Sequence, residues 1–509
     1  MPRRQATKFA AILVLYTICG CAAHEVQPEY AEVEHNLESA IHRPPQSIPP
    51  HDPAAVALDP APVPAELEGK RPVDDYIRRA IHENRNVQAA WANVQAMRER
   101  IPQAVALEDP MFQNVIWPVP SISPQYSIMG YMPYDTMITQ SFPWFGTLRL
   151  RGQVADQDAK VAIAELAAAE LETVAEVKRA YYDLHYAEKS LAILNRNRDL
   201  AEQFVEISKE RVRTGGNAQD VYRAQIGLEE LQNEITQADQ SLKSARAALA
   251  EQLHISPEAE LGTIDEARVT QTPKHVDELY RLAAAARPEL QGRLSAIARD
   301  RQEVELAKKR YYPNFTLGLT AWAMERNNAA STTLRSNPND NFGMVFNFNL
   351  PIYRNKLDAG LREAQFKAVA DSRKYDADRD KTYREIKELF VQIKAQREIL
   401  AMFEQNIYPK SKQALDLAST DYEVAKLDFL SLITAWRGVL QVELQIARFE
   451  AEIGKAVASL ERVVGCEVNE HPNNPDAVVP PAEGAGPFAK EAKNTAEKPS
   501  SKSSQPGDK

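Results

Sequence analysis

The sequence is short of the residues from which catalytic and metal sites are usually built. Its three cysteines are Cys19, Cys21 and Cys466, two of them within the first 21 residues, so no disulfide framework can staple a mature chain. The nine histidines are scattered and never stand beside cysteine at metal-ligand spacing. There is no Gly-rich phosphate loop, no HExxH pair and no GxSxG elbow. An enzyme needs one constellation that holds together, and none is visible, so no catalytic residue, cofactor or metal site is expected. No stretch is rich enough in Lys and Arg to neutralise a phosphate backbone, and the net charge is -10, which argues against nucleic acid as a partner. Glycine is scarce, at 19 of 509 residues. No segment reads as a transmembrane helix, so any membrane crossing must use closed strands.

What is present begins with an address. Arg3, Arg4 and Lys8 form a positive n-region, and the apolar run Phe9 to Ile18 leads into Ile18-Cys19-Gly20-Cys21. A run this short cannot cross a hydrocarbon core of about 30 Å as a helix and reads as a signal peptide. Gly20 directly before Cys21 resembles a lipobox, which makes Cys21 the expected lipidation site. An ordinary signal peptide with an incidental cysteine is the alternative. One acyl chain anchors a protein only marginally, so further acyl groups or a barrel would have to share the task.

The middle of the chain is an internal duplication, too long in period for a solenoid repeat. Val73-Asp74-Asp75-Tyr76-Ile77 opens one half and Val276-Asp277-Glu278-Leu279-Tyr280 the other. Each opening helix runs to a proline-marked break, Asp109-Pro110 or Tyr312-Pro313, and two strand-like segments then end at Phe142-Pro143 or Leu350-Pro351. Long helices over 147–213 and 356–424 follow, each with a tight turn and a returning helix. Their apolar residues keep helical spacing, as in Val177, Tyr181 and Leu184, or Ile386, Phe390 and Ile393. At 1.5 Å per residue each helix reaches on the order of 100 Å, a length at which neighbouring helices must cover the apolar stripe. The boundaries read as a lipoprotein signal peptide over 1–20, a Pro/Ala-rich tether over 21–65, a first repeat over 66–270, a second over 271–466 and a disordered tail over 467–509.

The strands discriminate between readings. Phe315, Leu317, Leu319 and Ala321 alternate with Thr316, Gly318 and Thr320; Met344, Phe346, Phe348 and Leu350 alternate with Val345, Asn347 and Asn349. Period-two alternation of this kind suits one face toward lipid and one toward a watery lumen. Segments near 111–118 and 135–143 are their less regular counterparts. Four strands cannot close a barrel, and open edges are not tolerated in lipid, whereas three chains would supply about twelve strands. Soluble β-hairpins capping a coiled coil are the plainer alternative.

Three local patterns sit at matching points of this plan: Thr139-Gln140-Ser141-Phe142-Pro143-Trp144-Phe145-Gly146, Arg287-Pro288-Glu289-Leu290 and Tyr311-Tyr312-Pro313-Asn314-Phe315. In their order and doubling the chain resembles the TolC-type outer-membrane factors over roughly residues 70–466. The resemblance implies a fold that is mainly α with a membrane β-barrel portion. That fold is a trimeric twelve-stranded β-barrel, four strands per chain, continued by a long periplasmic α-helical barrel of two duplicated halves. It also implies a homotrimer in the outer membrane lipid, partnered by a periplasmic adaptor (membrane fusion protein) and an inner-membrane transporter of the RND type.

By the same resemblance the hairpin tips dock the adaptor and converge into a closed iris. The docking residues are then Gly215, Gly216, Ala425, Lys426 and Leu427, and adjacent glycines are expected to supply the unusual angles of the first turn. Ala425 stands where the family usually places glycine. Some relatives carry a ring of aspartates just past the second tip; Ser431 and Thr434 occupy those positions here, so that ring is not carried over. The gate candidates are Asp220, Asp428, Ser431 and Thr434. Asp220 and Lys426 would latch the iris by charge, or else Asp220 and Asp428 simply cap the returning helices. The function implied is a passive efflux duct for heavy-metal cations or drugs. A structural coiled-coil envelope lipoprotein, a type I secretion duct and a soluble periplasmic protein are the competing readings.

Overall fold

The computed structural model describes residues 67, 69–116, 131–264, 275–325, 341–424 and 426–468. The signal segment 1–20, Cys21, the tether 21–65, Ala425 and the tail from residue 469 lie outside the described residues.

Each half of the chain runs through helices, a strand pair and a long helical hairpin. The first half comprises β1 (Gly69–Arg71), α1 (Val73–Glu83), α2 (Arg85–Arg98), α3 (Arg100–Val105), β2 (Met111–Ile116), β3 (Tyr131–Phe142), α4 (Thr147–Arg213) and α5 (Ala218–Leu253). β4 (Leu261–Thr263) follows α5, and the second half comprises α6 (Val276–Ala286), α7 (Pro288–Lys309), β5 (Phe315–Glu325), β6 (Asn341–Phe348), α8 (Arg354–Met402), a π-helical turn (Phe403–Ile407), α9 (Tyr408–Glu423) and α10 (Phe429–Val464).

Two expectations need correction. The opening helix of each half is split. Asn84 ends α1 and caps α2, its Oδ1 accepting from the Asn86 and Val87 amides at 2.8 and 3.2 Å. In the second half Pro288 starts a new helix at a position that needs no N–H donor. The long helix expected over 356–424 is likewise interrupted. Pro409 lacks an N–H and its ring crowds the preceding turn, and the ladder widens just before it: the Tyr408 amide reaches back to the Phe403 carbonyl.

The four longer strands form one antiparallel sheet in the order β2-β3-β5-β6, open at both edges among the described residues. Its register sets Met344 opposite Leu319 and Phe346 opposite Leu317, so Phe342, Met344, Phe346, Phe348, Leu317 and Leu319 share one exposed apolar face. The other face is polar, with the Thr320 hydroxyl donating to Asp135 at 2.8 Å. The last strand stops at Phe348, short of the expected Leu350: the Asn349 amide still bonds the Asn314 carbonyl at 3.2 Å in register, but the Asn314 amide donates to the Asn349 side-chain Oδ1 at 2.5 Å instead of its carbonyl.

The helices bury their apolar stripes on one another in tiers. Near mid-length, Tyr76, Ile77 and Ile81 of α1 pack with Val177, Tyr181 and Leu184 of α4 and with Leu249 and Leu253 of α5. There β1 and β4 pair in parallel, pinned by the Tyr76 hydroxyl donating to the Gly262 carbonyl at 2.9 Å and the Tyr181 hydroxyl donating to the Arg71 carbonyl at 3.2 Å. A second tier joins α6, α8 and α10 through Leu279, Ile386, Ile393 and Leu460. Ion pairs tie the halves together: Lys178 of α4 meets Glu461 of α10 at 2.7 Å, and Arg299 of α7 reaches Asp158 of α4 and Asp371 of α8 at 3.3 and 3.4 Å. The Arg-Pro-Glu-Leu pattern is explained here. Arg287 is buried, donating to Thr382 at 2.7 Å beside Glu289 and Glu385, while Leu290 fills the core. Gly465 ends α10 at φ 92°, and a Cβ there would stand 2.8 Å from the Ala286 carbonyl oxygen, so only glycine fits.

One core group opposes this packing. Glu170 of α4 is 3% exposed, and burial pushes its carboxyl up to about 8. Burial favours the neutral acid, so stability is fully present below about pH 4.5 and is lost as the pH rises to about 8. Glu170→Gln is expected to match the parent near the lower pH and to exceed it increasingly toward the upper one, by on the order of 5 kcal/mol at most. Circular-dichroism melts across that range measure the difference, and parallel pH curves for the two proteins would refute the assignment.

Candidate functional site

The turns farthest from the sheet combine the expected docking and gate residues. At the first, α4 ends in a double backbone closure: the Gly216 amide donates to the Arg211 carbonyl at 2.8 Å and the Gly215 amide to the Val212 carbonyl at 3.1 Å. This is the pattern of a Schellman turn. Only Gly215 takes the left-handed angle, at φ 100°. Gly216 is required for another reason, since a Cβ there would lie 2.9 Å from the Arg211 carbonyl oxygen. The two glycines therefore do different work, not the shared role expected of them.

The returning helix α5 is capped by Asn217, whose Oδ1 accepts from the Gln219 amide at 3.0 Å. Asp220 is not the cap. It stands in the first turn of α5, where a carboxylate complements the helix dipole.

The second turn closes on one carbonyl. Asp421 accepts from the amides of Lys426 and Leu427 at 2.8 and 3.2 Å. Lys426 is exposed and Leu427 half-buried, with Leu427 packed against the tier that holds Tyr422, Phe429 and Trp436. Asp428 occupies the N-cap of α10. The Ser431 hydroxyl donates to its carboxylate at 2.6 Å, and that bond holds the Asp428 carboxyl below the usual range. The Thr434 hydroxyl donates to its own helix, at the Leu430 carbonyl 2.7 Å away. Ser431 and Thr434 thus have their hydroxyl protons engaged locally. Asp220 and Lys426 form no ion pair with each other among the described residues.

What the sequence did not suggest is how the two turns are braced together. The Arg211 guanidinium of the first hairpin lies 4.2 Å from the ring centroid of Tyr422 in the second. Tyr422 in turn packs edge-on against Phe429 across its own turn, at 5.5 Å between centroids. Tyr422 is 1% exposed, and its hydroxyl is buried with no hydrogen-bond partner among the described residues. Burial pushes this phenol up; the Asp220 carboxylate adds to the shift and Arg211 opposes it. Farther up, Trp436 packs edge-on to Phe204 and donates to Asn197 Oδ1 at 3.0 Å. The spacing of Tyr422 and Phe429, aromatic on both sides of a turn, was the available signal. Nothing in sequence indicated that Arg211, some 200 residues earlier, would complete the stack.

Between α4 and α5 runs a groove of about 1520 Å³ lined by Asp199, Glu202, Glu206, Tyr222, Ile226 and Glu229 among others. Tyr222 and Ile226 are exposed along it. This surface is acidic with an apolar stripe.

The brace yields a prediction. Tyr422→Phe removes a buried hydroxyl that has no partner and is expected to be neutral or slightly stabilising. Tyr422→Ala leaves a cavity under Arg211 and is expected to cost about 3–5 kcal/mol. Thermal melts of both variants test the pair, and a large loss for the phenylalanine variant would show that the hydroxyl is bonded.

Comparison with known proteins gives a consistent picture. The sequence profile of a family described as "Outer membrane efflux protein" matches residues 134–253 and 279–466, more than half of the chain. The cobalt-zinc-cadmium resistance protein CzcC of Cupriavidus metallidurans is 22% identical over 409 residues, covering 79% of this chain and 92% of CzcC. Outer membrane protein TolC of Vibrio cholerae is 22% identical over 316 residues, covering 61% of this chain and 72% of TolC. Among solved structures, CusC superposes with a TM-score of 0.66 at 14% identity, over 84% of this chain and 98% of CusC.

Proposed function

Because this chain belongs to the outer membrane efflux protein family, we propose that it is the outer-membrane duct of a tripartite efflux system. Three copies close their sheets into a twelve-stranded barrel and their hairpins into a periplasmic tube. Cargo passes passively, delivered by an inner-membrane transporter of the RND type through a periplasmic adaptor, and acylation of Cys21 adds a lipid anchor. The observation that carries this reading is the four-stranded sheet with one apolar exposed face and two open edges, set on helices on the order of 100 Å long. A coiled-coil spacer has no use for such a sheet. The duct runs through the two repeats at 66–270 and 271–466, between tether and tail.

The adaptor meets the hairpin tips at Gly215, Gly216, Ala425, Lys426 and Leu427. Exposed backbone at Gly215 and Gly216, the exposed Lys426 ammonium and the acidic groove beside Tyr222 and Ile226 favour a helical partner with a basic and an apolar face.

A divalent metal cation is the favoured cargo, on the single ground that CzcC, which this chain matches over most of its length, is named for cobalt, zinc and cadmium resistance. Cells lacking this protein are expected to accumulate divalent metals several-fold over parent cells, with restoration by the intact gene. Accumulation of a fluorescent dye with unchanged metal content would shift the cargo to drugs. Loss of a secreted product, with neither metal nor dye affected, would favour a type I secretion duct and overturn the efflux assignment.

Closure of the duct falls to the charged residues at the tips. Asp220 and Lys426 have no ion-pair partner inside one protomer among the described residues, which leaves both available to a neighbouring copy; Asp428, Ser431 and Thr434 line the approach. Alanine at both Asp220 and Lys426 is expected to raise the resting conductance of the purified trimer in planar bilayers several-fold. Unchanged conductance would remove these two residues from the gate.

A further inference from the structure

Three of the four points at which the sheet passes into helices carry cations only. Residues 147–152, 309–312 and 353–357 contain Arg149, Arg151, Lys309, Arg310, Arg354 and Lys356 and no Asp or Glu, in a chain of net charge -10; Asp358, just past the third, accepts from the Tyr311 hydroxyl at 2.5 Å and leaves the rim with a net positive charge. None of the six forms an ion pair among the described residues. Farther along the same helices, pairing is the rule: Lys160 with Asp156 at 3.1 Å on α4, Lys308 with Glu305 at 2.6 Å on α7 and Lys367 with Glu363 at 3.0 Å on α8. The rim thus gathers six unpaired cations at the ends of three elements, whereas elsewhere on α7 and α8 cations without an ion pair among the described residues, such as Arg301, Arg362, Lys387 and Lys394, stand singly among paired ones. The fourth junction, Glu108-Asp109, has the opposite sign.

The rim adjoins the apolar face of the sheet through an unbroken series of ring contacts. Phe315 shares the face of Leu317 and Leu319 and lies 5.8 Å from Phe145. Phe145 meets Trp144 at 5.7 Å, Trp144 stacks on Tyr312 at 5.0 Å, and the Lys309 ammonium stands 5.9 Å from the Tyr312 ring. Arg354 is held in the same way, 5.7 Å from the Tyr311 ring. Apolar strand, amphipathic aromatic, then cation is the order in which a bilayer passes from hydrocarbon to headgroup.

We propose that this rim is a binding surface for anionic phospholipid headgroups, in the leaflet that meets the helical end of the sheet. The proposal rests on the barrel reading above, which places this rim at the periplasmic boundary of the membrane. Guanidinium groups pair bidentately with phosphate, and Lys309 adds a point charge. Zwitterionic lipids present the same phosphate but carry their own ammonium, so a cationic rim discriminates by net charge.

The test uses the full-length trimer in vesicles of phosphatidylethanolamine with or without phosphatidylglycerol. Lipids retained after detergent extraction are counted by native mass spectrometry, and planar-bilayer conductance is recorded in parallel. Phosphatidylglycerol is expected to be retained over phosphatidylethanolamine, with a preference that falls about tenfold in a variant combining Lys309→Gln, Arg310→Gln and Arg354→Gln and that weakens with added salt. Equal retention of the two lipids by the parent, or an unchanged preference in the variant, would overturn the lipid surface while a conducting channel leaves the duct reading intact. A chain that inserts in neither vesicle would overturn both.

Discussion

Backbone N–H and C=O groups cannot go unpaired in hydrocarbon, and much of this architecture follows from that constraint. The sheet β2-β3-β5-β6 satisfies its inner strands and, among the described residues, leaves one edge of β2 and one of β6 without partners. Neither edge is blunted by a bulge among the pairs that β2 and β6 make. In water such edges invite aggregation; in a membrane each unpaired group costs several kcal/mol. Closure with further copies removes the edges altogether, and the proposed trimer gives twelve strands, an even count within the range of such barrels. The same closure has to arrange the helices below, because each strand pair leads directly into a hairpin.

Within the chain, the halves are joined chiefly by burial, with ion pairs setting alignment. Most of the salt bridges are substantially exposed, and exposed pairs are worth about 0–1 kcal/mol each. Burying a Leu or Phe side chain contributes roughly 1.5–3 kcal/mol, and each tier of the tube contains several. Lys178 with Glu461 and Arg287 with Thr382, both largely buried, fix which turn of one helix faces which turn of another. A slip along smooth apolar stripes would strand these charges, and an uncompensated buried charge is expensive. Registry across a long tube thus depends on a few polar contacts that add little net stability.

Departures from regular helix gather where the hairpins must turn or bend. The first turn has left-handed glycine and an asparagine cap; the second converges on the Asp421 carbonyl; the π-turn stands just before Pro409 in the second hairpin alone. The halves are duplicates in element order yet not in these details. The second hairpin has an interrupted outgoing helix and an aromatic turn, while the first has a continuous 67-residue helix. If one hairpin bends against the other, the π-turn provides an existing break in the ladder at which to do so.

Much of this plan was legible in sequence because it rests on periodicity. Phe315, Leu317 and Leu319 declared a two-sided strand, and Val177, Tyr181 and Leu184 declared a helical stripe, since side-chain spacing alone determines which face each occupies. Gly215-Gly216 marked a turn, and Ser431 and Thr434 already told against an acidic ring. What the sequence could not contain was contact between residues far apart along it. Arg211 on the Tyr422 ring, Tyr76 and Tyr181 pinning β1 to β4, and the ring contacts that carry Phe315 through to Lys309 all join segments brought together only by packing. Local preference determined the elements, because backbone and neighbouring side chains decide those; the tertiary fold alone decided the partners, because a burial or a stack has no energy until both surfaces are present.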